Sequence, residues 1–182
     1  GQVVAGARLL GAGAGADDVA RCGDHLHGQH VLAQGAVEQG HVLLHVADLA
    51  AQLGITGKLP RKALLICPWL NAEPDHPDQA VIEPRDAILT RSGIRDAGRR
   101  YAGSLPVQDP RVSPIHGNWD GLPEMLMFAG GDDILVADAR ALKAKLPSVA
   151  YQEAGSMIHD WPIFTFAESR AAQAHMAGFI NS

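Results

Sequence analysis

The stretch EMLMFAGGDDILVADARALKAKLPSVAYQEA, residues 124–154, contains three successive patterns of secondary structure. EMLMFAG is a nearly continuous apolar run ending at glycine, which is typical of a strand buried on both faces. Leu135, Leu142 and Leu146 then recur at helical spacing, and SVAYQEA has the shorter, more polar pattern of a strand near a sheet edge. Strand, helix and strand in this order predict a parallel sheet with a right-handed crossover.

The neighbouring sequence extends this alternation in both directions. KALLICPW, residues 62–69, is another apolar run and is stopped by proline. TFAESRAAQAHMAGFI, residues 165–180, places Ala172 and Met176 on one helical face. The predicted class is therefore α/β, with a mostly parallel sheet and flanking helices.

Two polar residues fall just past predicted strands. Asp133 follows EMLMFAG, and His159 follows SVAYQEA within GSMIHDWPIF, residues 155–164. Reactive groups of parallel sheets lie in loops beyond the carboxyl ends of the strands. We therefore expect both side chains at one edge of the sheet.

Charge and composition exclude several classes of partner. The 182 residues carry 15 Lys and Arg against 20 Asp and Glu, a formal charge of -5, which argues against nucleic acid or an anionic membrane as the main partner. No apolar run reaches the roughly 18 residues of a membrane-spanning helix. Cys22 and Cys67 lack a disulfide or zinc-ribbon spacing, and no signal peptide is recognisable, so we expect a reducing, cytoplasmic location.

The first 57 residues have a different composition from the rest. They contain no Ser, Pro, Asn, Met, Phe, Tyr or Trp, but 11 of the 20 glycines and five of the nine histidines. Only HVLLHVADLAAQL, residues 41–53, has the pattern of an amphipathic helix. We expect no strand in residues 1–40, and a segment that is poorly ordered or loosely helical.

The motifs after this segment resemble those of a known family. From PRKALLICPWLN through RDAILTRSGIRDAGRRYAG, DPRVSPIHG, GLPEMLMFAGGDDILVADAR and SMIHDWPIF, the chain looks like the C-terminal half of the α/β-hydrolase esterases of the bacterial hormone-sensitive-lipase-like group. The resemblance covers residues 46–182. It implies the C-terminal part of an α/β-hydrolase fold, with N-terminal strands missing.

The resemblance also implies a reaction. Members hydrolyse carboxylic esters by acyl transfer through a Ser-Asp-His triad, which implies a small-molecule ester or lactone as substrate and no metal or organic cofactor. Carried over by motif, Asp133 is the acid and His159 is the base. The alternatives are that Asp133 caps a helix, a task open to Asp132 and Asp138 as well, and that His159 is a core residue beside Trp161.

The nucleophile of such a triad is not found. The family places its serine in a G-x-S-x-G turn, but the expected window reads LAQGAVEQG and the first serine of the chain is Ser92. The HGGG-type loop that supplies oxyanion donors is also absent. We therefore expect these 182 residues to be inactive, and interpret residues 1–45 as frame-shifted sequence or as a natural truncation preceding a catalytic portion at 46–182.

Further expectations concern the pocket and possible partners. Ile88, Leu89 and Tyr101 are candidates to line a substrate pocket, with ordinary helix packing as an equal alternative, and Trp161 either contacts substrate or braces the histidine loop. A three-stranded remnant would expose an apolar sheet edge and self-associate.

Two other classes of function stay open. One is a non-catalytic scaffold built on a hydrolase remnant. The other is a metal-binding protein that uses an N-terminal cluster whose spacing matches no familiar zinc motif. That cluster comprises Cys22, His25, His27, His30, His41 and His45.

Overall fold

The computed structural model describes residues 61–182 and, for the backbone alone, His30–Ala33. Its strands form a parallel sheet in the order β1-β2-β3-β4. The strands are β1 His30–Ala33, β2 Lys62–Ile66, β3 Glu124–Gly130 and β4 Ala150–Ala154. The parallel α/β architecture predicted from the sequence is confirmed, and β4 lies at an edge of the described sheet as its polar pattern indicated.

Helices cover both faces of the sheet. They are α1 Pro77–Ile82, α2 Arg91–Ala102, α3 Val136–Lys145 and α4 Ala167–Asn181. Side chains alternate along a strand, so Leu65 packs into one core with Leu142 of α3, whereas Phe128 packs into a second core with Met176 of α4. This two-sided burial explains why β2 and β3 read as continuous apolar runs.

The strand β1 corrects two expectations. Sequence reasoning placed no strand in residues 1–40 and left the outer edge of β2 unpaired, and both expectations were wrong at His30–Ala33, which pair with Lys62–Leu65. The short apolar run HVLA between Gly28 and Gly35 is long enough for four residues of parallel pairing. The helix predicted at residues 41–53 lies outside the described residues.

Short helices and turns carry the chain between the strands and the site. Thr90 is the N-cap of α2, and its Oγ1 accepts the Gly93 N–H at 3.1 Å. A single 3-10 turn, Trp161–Ile163, joins the loop after β4 to α4, and Ser169 Oγ donates to the carbonyl of Trp161 at 2.6 Å. In the part of the chain that the structure describes, every helix is too short or too polar to cross a membrane.

Candidate active site

Two loops meet at the carboxyl ends of β3 and β4. The acid loop, residues 130–135, carries Asp133, and the base loop, residues 155–161, carries His159. Their side chains lie in direct contact, with His159 Nδ1 2.9 Å from Asp133 Oδ2. Because neighbouring parallel strands end at the same edge of a sheet, residues 26 positions apart in the chain become partners.

Backbone contacts hold the two loops together. Gly131 N–H donates to the Ala154 carbonyl at 2.8 Å, and Asp132 N–H donates to the Met157 carbonyl at 3.1 Å. A Cβ on Gly130 would overlap the Met157 carbonyl, and one on Gly131 would overlap the Gly155 carbonyl. The glycine pair before Asp132 and Asp133 is therefore needed for close approach of the loops.

Asp133 uses both of its carboxyl oxygens. The side chain is fully buried, with Oδ2 against His159 and Oδ1 accepting the Leu135 N–H at 2.8 Å. Leu135, the N-cap residue before α3, gives the helix no side-chain cap. Asp133 thus fixes the turn before the helix and also engages the imidazole, so the helix-terminus contact and the contact with His159 coexist.

The two ring nitrogens of His159 differ in how closely they are held: Nδ1 contacts Asp133, whereas Nε2 has a longer contact, with Asp160. A carboxylate can only accept, so Nδ1 carries the proton of the pair, and in the neutral imidazole Nε2 has the lone pair. Burial alone would lower the pKa of His159, but the hydrogen bond to Asp133 and the charges of Asp133, Asp160 and Asp86 together raise it above its ordinary value. Nε2 lies 3.5 Å from Asp160 Oδ2, and the side chain is 14% exposed.

Asp86 is a part of the site that sequence reasoning missed. Its Oδ2 accepts the Ile134 N–H at 2.8 Å, beside Asp133. Its Oδ1 accepts the N–H groups of Ile88 and Leu89 at 2.9 and 2.8 Å. One carboxylate therefore ties the acid loop to the segment before α2, a link across 48 residues for which the sequence contains no local signal.

An apolar cavity of about 220 Å³ opens beside His159. The apolar side chains around it are Trp69, Ile88, Leu89, Ile94, Ala97 and Leu135. The predicted pocket residues Ile88 and Leu89 do line this cavity. Trp69 was missed, although its place just beyond a predicted strand, in CPWLN, was a usable signal.

The other two predicted pocket residues lie elsewhere. Tyr101 is partly buried against the core on the α3 side and does not line this cavity. Trp161 is 1% exposed and packs edge-on against Phe128 in the core on the α4 side, with ring centroids 6.2 Å apart. Trp161 therefore anchors the base loop to the core on the α4 side. The expectation that it touches substrate was wrong, because its ring is buried in that core.

A buried carboxylate joins the Trp69 segment to α3. Asp138 Oδ2 accepts the Asn71 N–H at 3.1 Å, and Trp69 Nε1 donates to the Asn71 carbonyl at 2.6 Å. Gln79 Nε2 approaches Asp138 Oδ1 at 3.5 Å. Burial raises the pKa of Asp138 to about 7 even though backbone N–H groups oppose the shift.

In the described ranges, no serine hydroxyl hydrogen-bonds to His159. Ser169 and Ser113 are buried and use their hydroxyls as donors to backbone carbonyls. The side chains of the N-terminal Cys and His cluster lie outside the described residues. The site as described therefore consists of an acid, a base and an adjoining apolar cavity.

Comparison with known proteins gives the family. The profile of the α/β-hydrolase fold matches residues 21–163. This chain belongs to the α/β-hydrolase fold family. The match begins inside the segment that composition sets apart, and the domain boundary at residues 45 and 46 stays a prediction.

Individual relatives are esterases and hydrolases. An acetyl-hydrolase of Streptomyces hygroscopicus is 32% identical over 123 residues, which are 65% of this chain and 41% of the relative. The crystal structure of a Staphylococcus aureus protein described as an esterase superposes with a TM-score of 0.78 at 26% identity. The match covers 90% of this chain and 58% of the Staphylococcus aureus chain. An esterase from the bacterial hormone-sensitive lipase family superposes with a TM-score of 0.71 at 25% identity, covering 82% and 51%.

These comparisons confirm the resemblance to bacterial hormone-sensitive-lipase-type esterases. They also set its extent, because the chain spans only about half the length of these relatives.

Proposed function

We propose that this chain carries the acid and the base of a carboxylic ester hydrolase. His159 Nε2 takes the proton of a nucleophilic hydroxyl as it attacks the ester carbonyl, and then gives that proton to the leaving alcohol. Asp133 holds the Nδ1–H and stabilises the imidazolium while it exists. The 2.9 Å contact between His159 Nδ1 and Asp133 Oδ2 is the observation that supports this assignment most.

The cavity beside His159 supports a small acyl ester or lactone as substrate. A volume of about 220 Å³ is small beside the roughly 300–1,000 Å³ of pockets for drug-sized ligands. Its walls are apolar and Trp69 supplies a large flat surface, so a short acyl chain fits better than a charged or sugar-like group. The base lies in the cavity wall, where the reacting carbonyl would have to be.

We further propose that the 182 residues do not turn over esters by themselves. The sequence contains no G-x-S-x-G turn, and no oxyanion loop of the HGGG type. Loss of one oxyanion donor alone costs about 100- to 1,000-fold in turnover, and without a nucleophile acyl transfer has no first step. The acid and base would therefore be in place without the group they serve.

Hydrolysis of p-nitrophenyl acetate and butyrate tests both proposals. The chain as written should give no rate above buffer. A chimera in which the N-terminal part of an active esterase relative, including its G-x-S-x-G serine, replaces residues 1–45 should hydrolyse both esters. His159→Ala in the chimera should remove that activity while leaving the circular dichroism spectrum unchanged.

Two results would contradict the proposal. An active chimera that keeps its rate after His159→Ala would show that the base is another residue. Hydrolysis by the unmodified chain, lost on His159→Ala, would reveal a nucleophile that the sequence does not disclose.

Self-association is a separate proposal. β4 forms an outer edge of the described sheet, and Ile163, Phe164 and Phe166 just before α4 are large apolar side chains with 39–45% exposure. Exposed edges and apolar patches favour association. Size-exclusion chromatography with light scattering should show oligomers, and a clean monomer over a wide concentration range would contradict this.

A further inference from the structure

A third side chain at the edge of the sheet is not used by the proposed mechanism. Cys67 follows β2 directly, and its backbone N–H donates to the Phe128 carbonyl at 2.9 Å. Its sulfur, a ring nitrogen of His159 and a carboxylate oxygen of Asp160 all lie within 4.8 Å of one another. Thiolate, imidazole and carboxylate are the three ligand types that proteins use for zinc.

We propose that Cys67, His159 and Asp160 bind one divalent cation of borderline softness, with Zn²⁺ the best match. Zinc ligands lie about 2.0–2.3 Å from the ion, so donors within 4.8 Å need only small side-chain movements to close around it. Three protein ligands leave one position of a tetrahedral site for water.

The Asp133 contact prepares His159 for this role. Metal-binding histidines generally donate their other ring N–H to a carboxylate, which fixes the tautomer and raises the basicity of the ligating nitrogen. His159 Nδ1 has that partner in Asp133 at 2.9 Å. Nε2 is then the nitrogen available to an ion, and Asp160 Oδ2 lies 3.5 Å from it.

Charge and backbone conformation both support a cation site at these three residues. Carboxyl oxygens of Asp133 and Asp160 lie 2.9 and 3.5 Å from the two ring nitrogens of His159, so a cation enters a region of negative potential. Cys67 and Asp160 are the two non-glycine residues with positive φ in the described ranges, at 44° and 56°. Such strained residues cluster at functional sites, and here both supply a ligand atom.

The protons balance simply. Without an ion, Cys67 is a free, buried thiol. Coordination replaces the S–H bond by a bond to the cation and releases that proton to solvent.

A consequence rests on the proposed function. An ion on Nε2 occupies the lone pair that the base would use, so binding would inhibit an active form of the enzyme. Binding itself does not depend on activity, and its test is therefore separate from the test of the esterase proposal.

Cobalt spectroscopy on the full 182-residue chain tests the site. After removal of metals with a chelator, one equivalent of Co²⁺ should give a sulfur-to-cobalt charge-transfer band. Cys67→Ser should abolish this band, whereas the matched control Cys22→Ser should leave it unchanged. Absence of the band from the parent chain, or its loss in Cys22→Ser alone, would overturn the proposal.

Zinc calorimetry on the same proteins gives a second reading. Cys67→Ser and Asp160→Asn should each weaken Zn²⁺ binding at least about tenfold, and Asp133→Asn should weaken it about 10- to 100-fold while the cobalt band remains. Asparagine tolerates positive φ, so Asp160→Asn preserves the backbone and decides the matter if Cys67→Ser does not fold. Unchanged Zn²⁺ affinity in Asp160→Asn would overturn the proposed ligand set.

Discussion

The acid loop and the base loop start from the same kind of strand end but are held in opposite ways. Asp133 is completely buried, and each of its carboxyl oxygens has a partner. His159 keeps 14% of its side chain exposed, lies beside the strained Asp160 and borders an apolar cavity. The acid loop thus fixes the orientation of the imidazole, and the base loop places that imidazole in the wall of the cavity.

Because of this difference, Asp133 and His159 can catalyse proton transfer only as a pair. Orientation requires a partner that does not move, which burial and two hydrogen bonds provide. Proton transfer requires a nitrogen that substrate can approach. The pair divides these needs between neighbouring strands.

The largest expected effect comes from removing the charge of the fixed partner. In the active chimera, Asp133→Asn should lower kcat about 10⁴-fold, because an amide does not hold the imidazole in the productive tautomer. Asp132→Asn is the matched control: Asp132 pairs with Arg85 at 2.8 Å on the surface, where such pairs contribute about 0–1 kcal/mol. Its rate should stay within about threefold of the parent's.

Equal losses of kcat in Asp133→Asn and Asp132→Asn would contradict this account. They would mean that any carboxylate in the acid loop matters alike, and that the contact between Asp133 and His159 has no special role.

The next effect concerns the spacing of the loops. Gly130→Ala should destabilise the protein by about 1–3 kcal/mol, because the added methyl group overlaps the carbonyls of Met157 and Ile158. Gly178→Ala in α4 has open space around it and should stabilise the helix by about 0.5–1 kcal/mol. Urea unfolding curves of both variants measure the difference.

A neutral Gly130→Ala would contradict the close approach of the two loops. A destabilising Gly178→Ala would show that alanine is tolerated poorly throughout and that the first result is not specific to the site.

The sequence predicted the strands, the helices and the edge that carries Asp133 and His159 better than it predicted individual side-chain contacts. Apolar runs and helical periods placed β2, β3, β4, α3 and α4, and parallel strands necessarily bring their carboxyl ends together, so Asp133 and His159 could be expected at one edge. Periodicity reports which face of an element is buried but not which partner covers it. The direction of Trp161 and the position of Tyr101 could not be derived for that reason.

Other features depended on contacts that leave no local pattern. The link from Asp86 to Ile134 and the approach of Cys67 to Asp160 join residues far apart in sequence. β1 is four residues long, too short for its alternation to stand out in a glycine-rich segment. From the sequence, Gly130 and Gly131 indicate only where a strand ends. The structure explains why both are glycine, because a Cβ on either residue would overlap a carbonyl of the base loop.

A smaller effect is expected at Asp138, which links the Trp69 segment of the cavity wall to α3. The pKa of Asp138 is raised from 3.8 to about 7 in the folded protein, so its contribution to stability is complete below pH 4 and is lost as the pH rises through 7. Asp138→Asn should therefore flatten the pH dependence of the free energy of unfolding between pH 4 and 7.

Urea unfolding at several pH values measures this, with the parent chain as reference. Parallel pH profiles for the two proteins would contradict a buried, proton-binding Asp138.

The most direct test of the central claim is an NMR titration of His159, assigned by loss of its signals in His159→Gln. If Asp133 accepts the Nδ1–H, the pKa of His159 should lie above its ordinary value in the parent chain and should fall in Asp133→Asn. Asp132→Asn should change it much less. An ordinary pKa that does not respond to Asp133→Asn would contradict the acid–base pair.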